Sequence, residues 1–196
     1  MSVQIPGDML AWKEIDWKKL TELNTKRPQK ILRDKQIDAL IVQTQDNFQY
    51  LTGYRVPSNI NLLHYLHRQG AILPAEGDQP IMLAGAADIF DARHFHWIED
   101  VRSMPIQIEL WPSIVKRALD DHGIMGTIAL DSRMQYGLAE GIKHELGPNY
   151  RFVDASEIIE ATRAVKNEEE IKVYRRAVTF AEVQMRAARD AIKEGV

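Results

Sequence analysis

Short runs of consecutive apolar residues alternate along the chain with segments whose apolar residues recur every three or four positions. The first pattern is typical of strands buried in a sheet, and the second of helices that cover a sheet. The predicted strands are 38–43, 70–73, 80–83, 98–102, 127–131 and 151–153. The predicted helices are 28–36, 48–51, 86–93, 111–119 and 134–146. With a turn-forming cluster at 76–78 joining two strands as a hairpin, this order predicts an α/β fold, a mixed β-sheet flanked by helices.

A long C-terminal helix follows, and it has the widest apolar surface in the chain. Asp154 with Glu157, and Asn167 with Glu170, have the spacing of capping boxes, so two helix starts are predicted there. The second helix carries a row that we call the C-terminal stripe: Ile171, Tyr174, Val178, Ala181, Met185, Ala188 and Ile192. A second row beside it contains Val173, Ala177, Phe180, Ala187 and Ala191. Such a wide arc needs more than one neighbour, so we expect much of this helix to pack on protein outside this sequence, with Gly195 ending it.

The first part of the chain, residues 1–26, is predicted to be an N-terminal helical extension. Pro28 then favours the start of a new helix, because a proline lacks the N–H that would be unpaired at that position. Trp12 and Trp17 both need cover from other residues. We expect the domain's own core to supply it, and a second subunit is the alternative.

Composition indicates an ordinary globular domain and excludes several classes of protein. The net charge is -3 and 27% of the residues are charged, so there is no basic surface of the kind that binds nucleic acid or anionic membranes. The absence of cysteine excludes disulfides, iron–sulfur clusters and thiol catalysis. No apolar run has membrane-spanning length, and the N-terminus does not resemble a signal peptide. We therefore expect a cytoplasmic protein with no nucleic-acid and no membrane partner.

Motifs that identify common enzymes are absent from the sequence, including G-x-x-x-x-G-K-[ST], G-x-S-x-G and H-E-x-x-H. The best metal-ligand candidates are Asp91, His94 and His96. If this piece is extended, the two histidines share one face and the carboxylate could complete a three-ligand site. Phe95 and Trp97 would then lie on the opposite face, which is also the pattern of an ordinary half-exposed strand. That second interpretation is the simpler one.

Tyr54 and Arg55 are candidates for an exposed binding site, because they directly follow Gly53 on a predicted loop. A guanidinium is well suited to binding a carboxylate. The alternative is a solvated arginine beside a tyrosine that packs. Arg163 and Lys166 lie in the last turn of a predicted helix, where the helix dipole is a sufficient explanation for cations.

Several of these stretches together resemble a known family. The stretches are Ile37-Asp-Ala-Leu-Ile-Val42, Asn47-Phe-Gln-Tyr-Leu-Thr-Gly-Tyr54, Val153-Asp-Ala-Ser-Glu-Ile-Ile159 and Arg163-Ala-Val-Lys-Asn-Glu-Glu-Glu-Ile171. In this order they resemble the N-terminal domain of creatinase, prolidase and aminopeptidase P, of the pita-bread metallopeptidase superfamily. The resemblance covers residues 27–196 and implies a mixed sheet flanked by helices, similar to a ribonuclease-H-like layer.

In that superfamily a second, pita-bread domain carries two Asp, one His and two Glu that hold two divalent metals, often Mn or Co. The resemblance implies that residues 27–166 are the N-terminal domain and residues 167–196 the first helix of a missing C-terminal catalytic domain. It therefore implies no catalytic residue and no cofactor in this chain. The parent protein would be a hydrolase, either an Xaa-Pro aminopeptidase or dipeptidase or a creatinase-like enzyme, and the chain alone would be inactive.

The resemblance also implies a role for the domain. In relatives it caps the substrate cleft and helps to form a homodimer, which makes Tyr54 and Arg55 substrate-facing candidates. Two alternatives stay open from the residues themselves. One is a self-contained binding or dimerisation module in which the C-terminal helix pairs with its twin. The other is a small metal site at Asp91, His94 and His96.

Overall fold

The computed structural model of the protein describes residues 15–54, 69–86, 88–95 and 97–192, and its centre is a six-stranded sheet in the order β4-β3-β2-β1-β5-β6. The strands are β1 (Ala39–Val42), β2 (Gly70–Pro74), β3 (Ile81–Gly85), β4 (Val101–Met104), β5 (Thr127–Leu130) and β6 (Arg151–Asp154). The helices are α1 (Trp17–Asp34), α2 (Gln45–Thr52), α3 (Ile89–Phe95), α4 (Trp111–Asp121), α5 (Tyr136–Leu146), α6 (Ser156–Ala164) and α7 (Glu168–Ala191). A 3₁₀ turn at Ile108–Leu110 precedes α4.

The sheet mixes parallel and antiparallel pairs. Strand β1 pairs antiparallel with β2 and parallel with β5, and β3 pairs antiparallel with β2. The two outer strands, β4 and β6, each pair in parallel with their neighbour. The predicted fold is therefore confirmed: an α/β domain with a mixed sheet flanked by helices, followed by a long C-terminal helix.

The sheet separates two hydrophobic cores because successive side chains of a strand point to opposite faces. On one face Leu40 and Val42 pack with Phe48 of α2, below α1, α3 and α6. On the other face Ile41 packs with residues of α4 and α5, among them Ile142. All four residues of β1 are buried, as its continuous apolar run predicts.

Helix α1 runs through Pro28 without a break, so the predicted new helix start at that residue is wrong. A proline inside a helix costs about 3 kcal/mol. Here it belongs to a buried row with Leu20, Asn24 and Leu32, spaced four residues apart along one side of the helix. Packing of that row outweighs the local cost. Residues 1–14, including Trp12, lie outside the described residues, and the division at residues 26 and 27 stays a prediction.

The start of α6 also differs from its prediction. Asp154 is the last residue of β6, where it pairs with Leu130, and Ala155 occupies the N-cap position. The Asp154 carboxylate instead accepts hydrogen bonds from the backbone N–H and the hydroxyl of Ser156, at 2.9 and 2.8 Å. Asp154, which the sequence pattern predicted to be a helix cap, is therefore part of a strand. A smaller difference is that β4 begins three residues later than the predicted strand at 98–102.

Candidate functional site

The bend between α6 and α7 is held by several side-chain hydrogen bonds. The predicted capping box is confirmed, since Asn167 Oδ1 accepts from Glu170 N at 2.9 Å and Glu170 Oε2 accepts from Asn167 N at 2.7 Å. The remaining polar group of Asn167, its Nδ2, donates to Asn24 Oδ1 of α1 at 2.8 Å. One buried side chain therefore begins α7 and also fastens it to α1.

A buried carboxylate lies in the next turn. Glu169 is only 1% exposed and accepts hydrogen bonds from Lys19 Nζ at 2.8 Å and Lys172 Nζ at 3.0 Å. The hydrogen bond from Lys19, and then that from Lys172, hold the pKa of Glu169 below its usual value. Lys172 lies on α7 itself, three residues after Glu169.

Arg27 closes the bend from the side of α1. Its guanidinium donates to the carbonyl of Val165, just after the end of α6, and lies 3.9 Å from Glu170 Oε2. Asn24 contributes a second bond, from its Nδ2 to the carbonyl of Tyr50 at 3.2 Å. The bend is thus attached to α1, and α1 to α2.

Arg163 attaches α6 to α2. Its Nη1 lies 3.0 Å from Asp46 Oδ2 and 2.9 Å from Asn47 Oδ1, and its guanidinium lies 5.8 Å from the centre of the Tyr50 ring. The helix dipole is therefore not a sufficient explanation for this arginine. Lys166 does what its position predicts, since it donates to the carbonyls of Arg163 and Ala164 at the end of the helix.

Asp46 also bonds Arg133, whose Nη2 lies 2.8 Å from the same carboxylate oxygen. Burial works to raise the pKa of Asp46, but the hydrogen bonds from Arg133 and Arg163 outweigh it and hold that pKa well below its usual value. The carboxylate is therefore ionised at neutral pH, and it joins the loop after β5 to α2 and α6.

Asp131 directly follows β5, is 3% exposed, and holds the start of α2 in place. Its Oδ2 accepts from Thr44 Oγ1 at 2.7 Å, Thr44 N at 3.3 Å and Asn47 Nδ2 at 3.0 Å, while its Oδ1 accepts from Arg133 N at 3.1 Å. Burial opposes ionisation, but these bonds lower the pKa of Asp131. The sequence analysis missed this residue, and its only local signal was an aspartate at the end of a predicted strand.

An open groove of about 510 Å³ lies at the carboxyl ends of β1 and β5 and is lined by these charged groups. The helices after the two strands leave toward opposite faces of the sheet, and open α/β sheets commonly bind ligands at such a place. Here Asp46 forms ion pairs with two arginines, and Asp131 accepts hydrogen bonds from Thr44 and Asn47. The arrangement therefore fastens helices together, and we assign it a structural role.

Tyr54 is buried, so the prediction that it is exposed is wrong. It is 8% exposed and packs edge-on against Phe48, with ring centres 6.3 Å apart and planes at 85°. Its hydroxyl donates to the carbonyl of Asp88 at 3.4 Å. The alternative of a tyrosine that packs describes the side chain better. Arg55 lies outside the described residues, and a substrate-facing role of the pair stays a prediction.

The metal-ligand candidates are only partly within the described residues. His94 lies near the end of helix α3, so the extended conformation assumed for it is wrong. His96 and the side chains of Asp91 and His94 lie outside what the structure describes. Across the described residues, no three His, Asp or Glu side chains are grouped as metal ligands would be. The metal site stays a prediction without structural support.

The C-terminal stripe is exposed along its whole length, as the sequence analysis expected. Val178 is 65% exposed and Met185 is 74% exposed. The half-buried residues of α7, which include Phe180 and Val183, lie on the opposite side of the helix, since two residues correspond to about 200° of rotation. In the described part of the chain no helix has the length and apolarity that crossing a bilayer requires.

Comparison with known proteins identifies the family. The sequence model of the Creatinase/Prolidase N-terminal domain family matches residues 25–165. The chain belongs to this family. The resemblance drawn from the sequence is therefore confirmed. A relative from Bacillus subtilis (strain 168), named "Putative dipeptidase YkvY", is 23% identical over 161 residues, which are 81% of this chain and 42% of the relative. The chain thus spans less than half the length of that relative.

Solved structures agree with this assignment at the level of the fold. The prolidase from Pyrococcus horikoshii OT3 is 19% identical with a TM-score of 0.62, and the match covers 88% of this chain and 44% of that one. The N-terminal domain of the cytoplasmic peptidase PepQ from Mycobacterium tuberculosis H37Rv is 16% identical with a TM-score of 0.55. That match covers 72% of this chain and 99% of that one. This chain therefore shares its fold with part of a prolidase and with the N-terminal domain of a cytoplasmic peptidase.

Proposed function

We propose that the chain is the non-catalytic N-terminal part of a creatinase/prolidase-like hydrolase. In this proposal residues 27–166 cap the substrate cleft and contribute to a homodimer, and residues 167–196 are the first helix of a catalytic domain outside this chain. The observation that carries the proposal is the exposure of the whole C-terminal stripe. The stripe is a continuous apolar surface about 30 Å long, unlike the single apolar residues that are scattered over most protein surfaces. Continuous apolar surfaces of this kind commonly mark interfaces.

Relatives support the same division of roles. The matched parts of YkvY and of the Pyrococcus horikoshii prolidase are less than half of those chains, so each contains further sequence that is longer than the matched part. We propose that a segment of this kind covers the C-terminal stripe. It would carry the residues that hold two divalent metals, Mn or Co, and such metals would supply the chemistry for hydrolysis of an Xaa-Pro bond. The same proposal includes a cytoplasmic location and no nucleic-acid or membrane partner.

Two experiments test this function. The first assays the chain on Xaa-Pro dipeptides with added Mn²⁺ or Co²⁺; we expect no turnover, and turnover that persists through repurification would contradict the proposal. The second reads the coding sequence beyond Val196. The proposal expects it to encode a segment with two Asp, one His and two Glu at metal-ligand positions, and a stop codon there would contradict it.

A second candidate function is favoured by the same stripe. Two copies of α7 could pair through it, which would make the chain a self-contained dimerisation module. Light scattering after size exclusion separates the two functions. A helix-mediated dimer becomes a monomer when the chain is ended at Lys166 or when Val178 is replaced by Glu. A mass that is unchanged by both alterations excludes the helix-mediated dimer.

A further inference from the structure

Three side-chain contacts join the first and last helices of the described chain, and together we call them the α1–α7 junction. Its members are Lys19, Asn24 and Arg27 of α1, and Asn167, Glu169 and Glu170 at the start of α7. We infer that this junction fixes the direction in which α7 leaves the domain. If the proposed function is right, the catalytic domain is then held at one angle, and the boundary between the domains is a rigid joint.

The spacing of the contacts supports this inference. Lys19 and Arg27 are eight residues apart, which corresponds to about 12 Å along α1. At the other end, Asn167 and Glu169 lie at the cap and in the first turn of α7, about 200° apart around its axis. A single bond would let the helix swivel about its attachment point. Bonds that are separated both along α1 and around α7 oppose rotation in more than one direction.

Burial supports it as well. Glu169 is the one buried residue of α7, although most of that helix is exposed to solvent. A charged group removed from water is costly unless it is paired, and its pairing geometry is correspondingly strict. The carboxylate of Glu169 is paired on both sides, by Lys19 and by Lys172. Turning α7 away from α1 would therefore separate this buried carboxylate from Lys19.

The helix before the bend is also fixed. Arg163 bonds α6 to Asp46 and Asn47, and Arg27 bonds the carbonyl of Val165 inside the bend. Both helices that meet at the bend are therefore attached to the rest of the domain by side-chain bonds as well as by the backbone. The direction of α7 is determined relative to α1 and α2, which pack on the sheet.

A distance measurement between two spin labels tests the inference on the chain as it is. The sequence has no cysteine, so Arg117→Cys on α4 and Gln184→Cys on α7 provide two labelling sites without any background. Both positions are exposed. Double electron–electron resonance then gives the distribution of distances between the body and α7. We expect a single peak in this distribution, no wider than the flexibility of the two labels alone produces.

Two of the three α1 residues of the junction are replaced, so that the sequence of α7 and its capping box stay intact. The variant is Lys19→Met with Asn24→Ala, and the control is the exposed pair Lys30→Met with Asp34→Ala on the same helix. We expect the first to broaden the distribution at least twofold and the control to leave it unchanged. Circular dichroism checks that both variants keep their helices. If the double variant does not fold, Lys19→Gln alone, with its half-exposed side chain, is measured against Lys30→Gln.

An unchanged distribution in a folded junction variant overturns the inference, and so does a broad distribution in the unaltered chain. These outcomes are independent of the proposed function. A coding sequence without metal ligands beyond Val196 would contradict the proposed function, but it would not change the measured distances. A broad distance distribution in the unaltered chain would contradict the inference, but it would not change the outcome of the assays of function.

Discussion

Thr44 and Asp131 are joined by a hydrogen bond of 2.7 Å from the threonine hydroxyl to the buried carboxylate. Thr44 follows β1 and Asp131 follows β5, so the bond connects neighbouring parallel strands just beyond their carboxyl ends. The same carboxylate accepts the backbone N–H of Thr44 at 3.3 Å, at the N-cap of α2. One side chain thus fixes the start of a helix that covers the sheet.

Replacing Asp131 by Ala is expected to lower the free energy of unfolding by about 3 kcal/mol, because it leaves buried donors of Thr44 and Asn47 without an acceptor. Urea denaturation measures this value. Asp34→Ala is the matched control, since its carboxylate is exposed and pairs with the exposed Lys30; it should cost less than about 0.5 kcal/mol. Equal effects of the two substitutions would contradict the account of Asp131.

Stability should decrease in acid. The folded-state pKa values of Asp46 and Asp131 are lowered below the ordinary value of 3.8, so the unfolded chain takes up protons first as the pH falls. Their stabilisation is complete above that ordinary value and is lost as the pH falls below it toward the folded-state values. Urea midpoints measured from pH 7 to pH 3 should show this loss of stability. The midpoint of Asp131→Asn should decrease less over the same range, because an amide does not take up a proton there. If the urea midpoint of Asp131→Asn decreased with pH as steeply as that of the unaltered chain, ionised Asp131 would not be a source of the stability that is lost in acid.

Gly53 is expected to tolerate no side chain. Its φ is +69°, and a Cβ at this position would lie 2.4 Å from Thr21 Oγ1. Gly77 is the matched control, because its φ is +108° but a Cβ there meets nothing within 4 Å. Thermal or urea unfolding should show a loss of about 1 kcal/mol for Gly77→Ala, from backbone strain alone, and a clearly larger loss for Gly53→Ala.

The clash at Gly53 can be isolated with a second substitution. Thr21→Ala removes the hydroxyl that the new Cβ would meet, so the double variant should recover part of the loss relative to the sum of the single variants. Strict additivity would mean that the close approach between Gly53 and Thr21 has no energetic effect.

Features that depend on local pattern were predictable from the sequence. Continuous apolar runs such as that of β1 indicated buried strands, and the spacing of Asn167 and Glu170 indicated the start of α7. The C-terminal stripe was also readable, because helical periodicity persists over many residues. Pro28 was misread because the packing of its whole row, which outweighs its local preference, involves residues far away in the sequence.

The bonded features of the candidate site could not be predicted in this way. Arg163 meets Asp46 across 117 positions of sequence, and Lys19 meets Glu169 across 150. Local spacing carries no signal of such pairs, so Arg163 was explained by the helix dipole and Glu169 was not singled out. Tyr54 was misplaced partly for the same reason, since its hydroxyl bonds the carbonyl of Asp88, 34 positions away in the sequence.

The central claim, that another protein segment covers the C-terminal stripe, is tested most directly by thiol labelling. Val178→Cys is placed on the stripe, and Thr179→Cys, about 100° around the helix, is the exposed control. Each is labelled in the chain alone and in the protein extended by the segment encoded after Val196. The account predicts that extension slows labelling of Val178→Cys at least about 100-fold and leaves Thr179→Cys within about threefold, on the scale of a buried against an exposed thiol. Equally fast labelling of Val178→Cys in both proteins would contradict it.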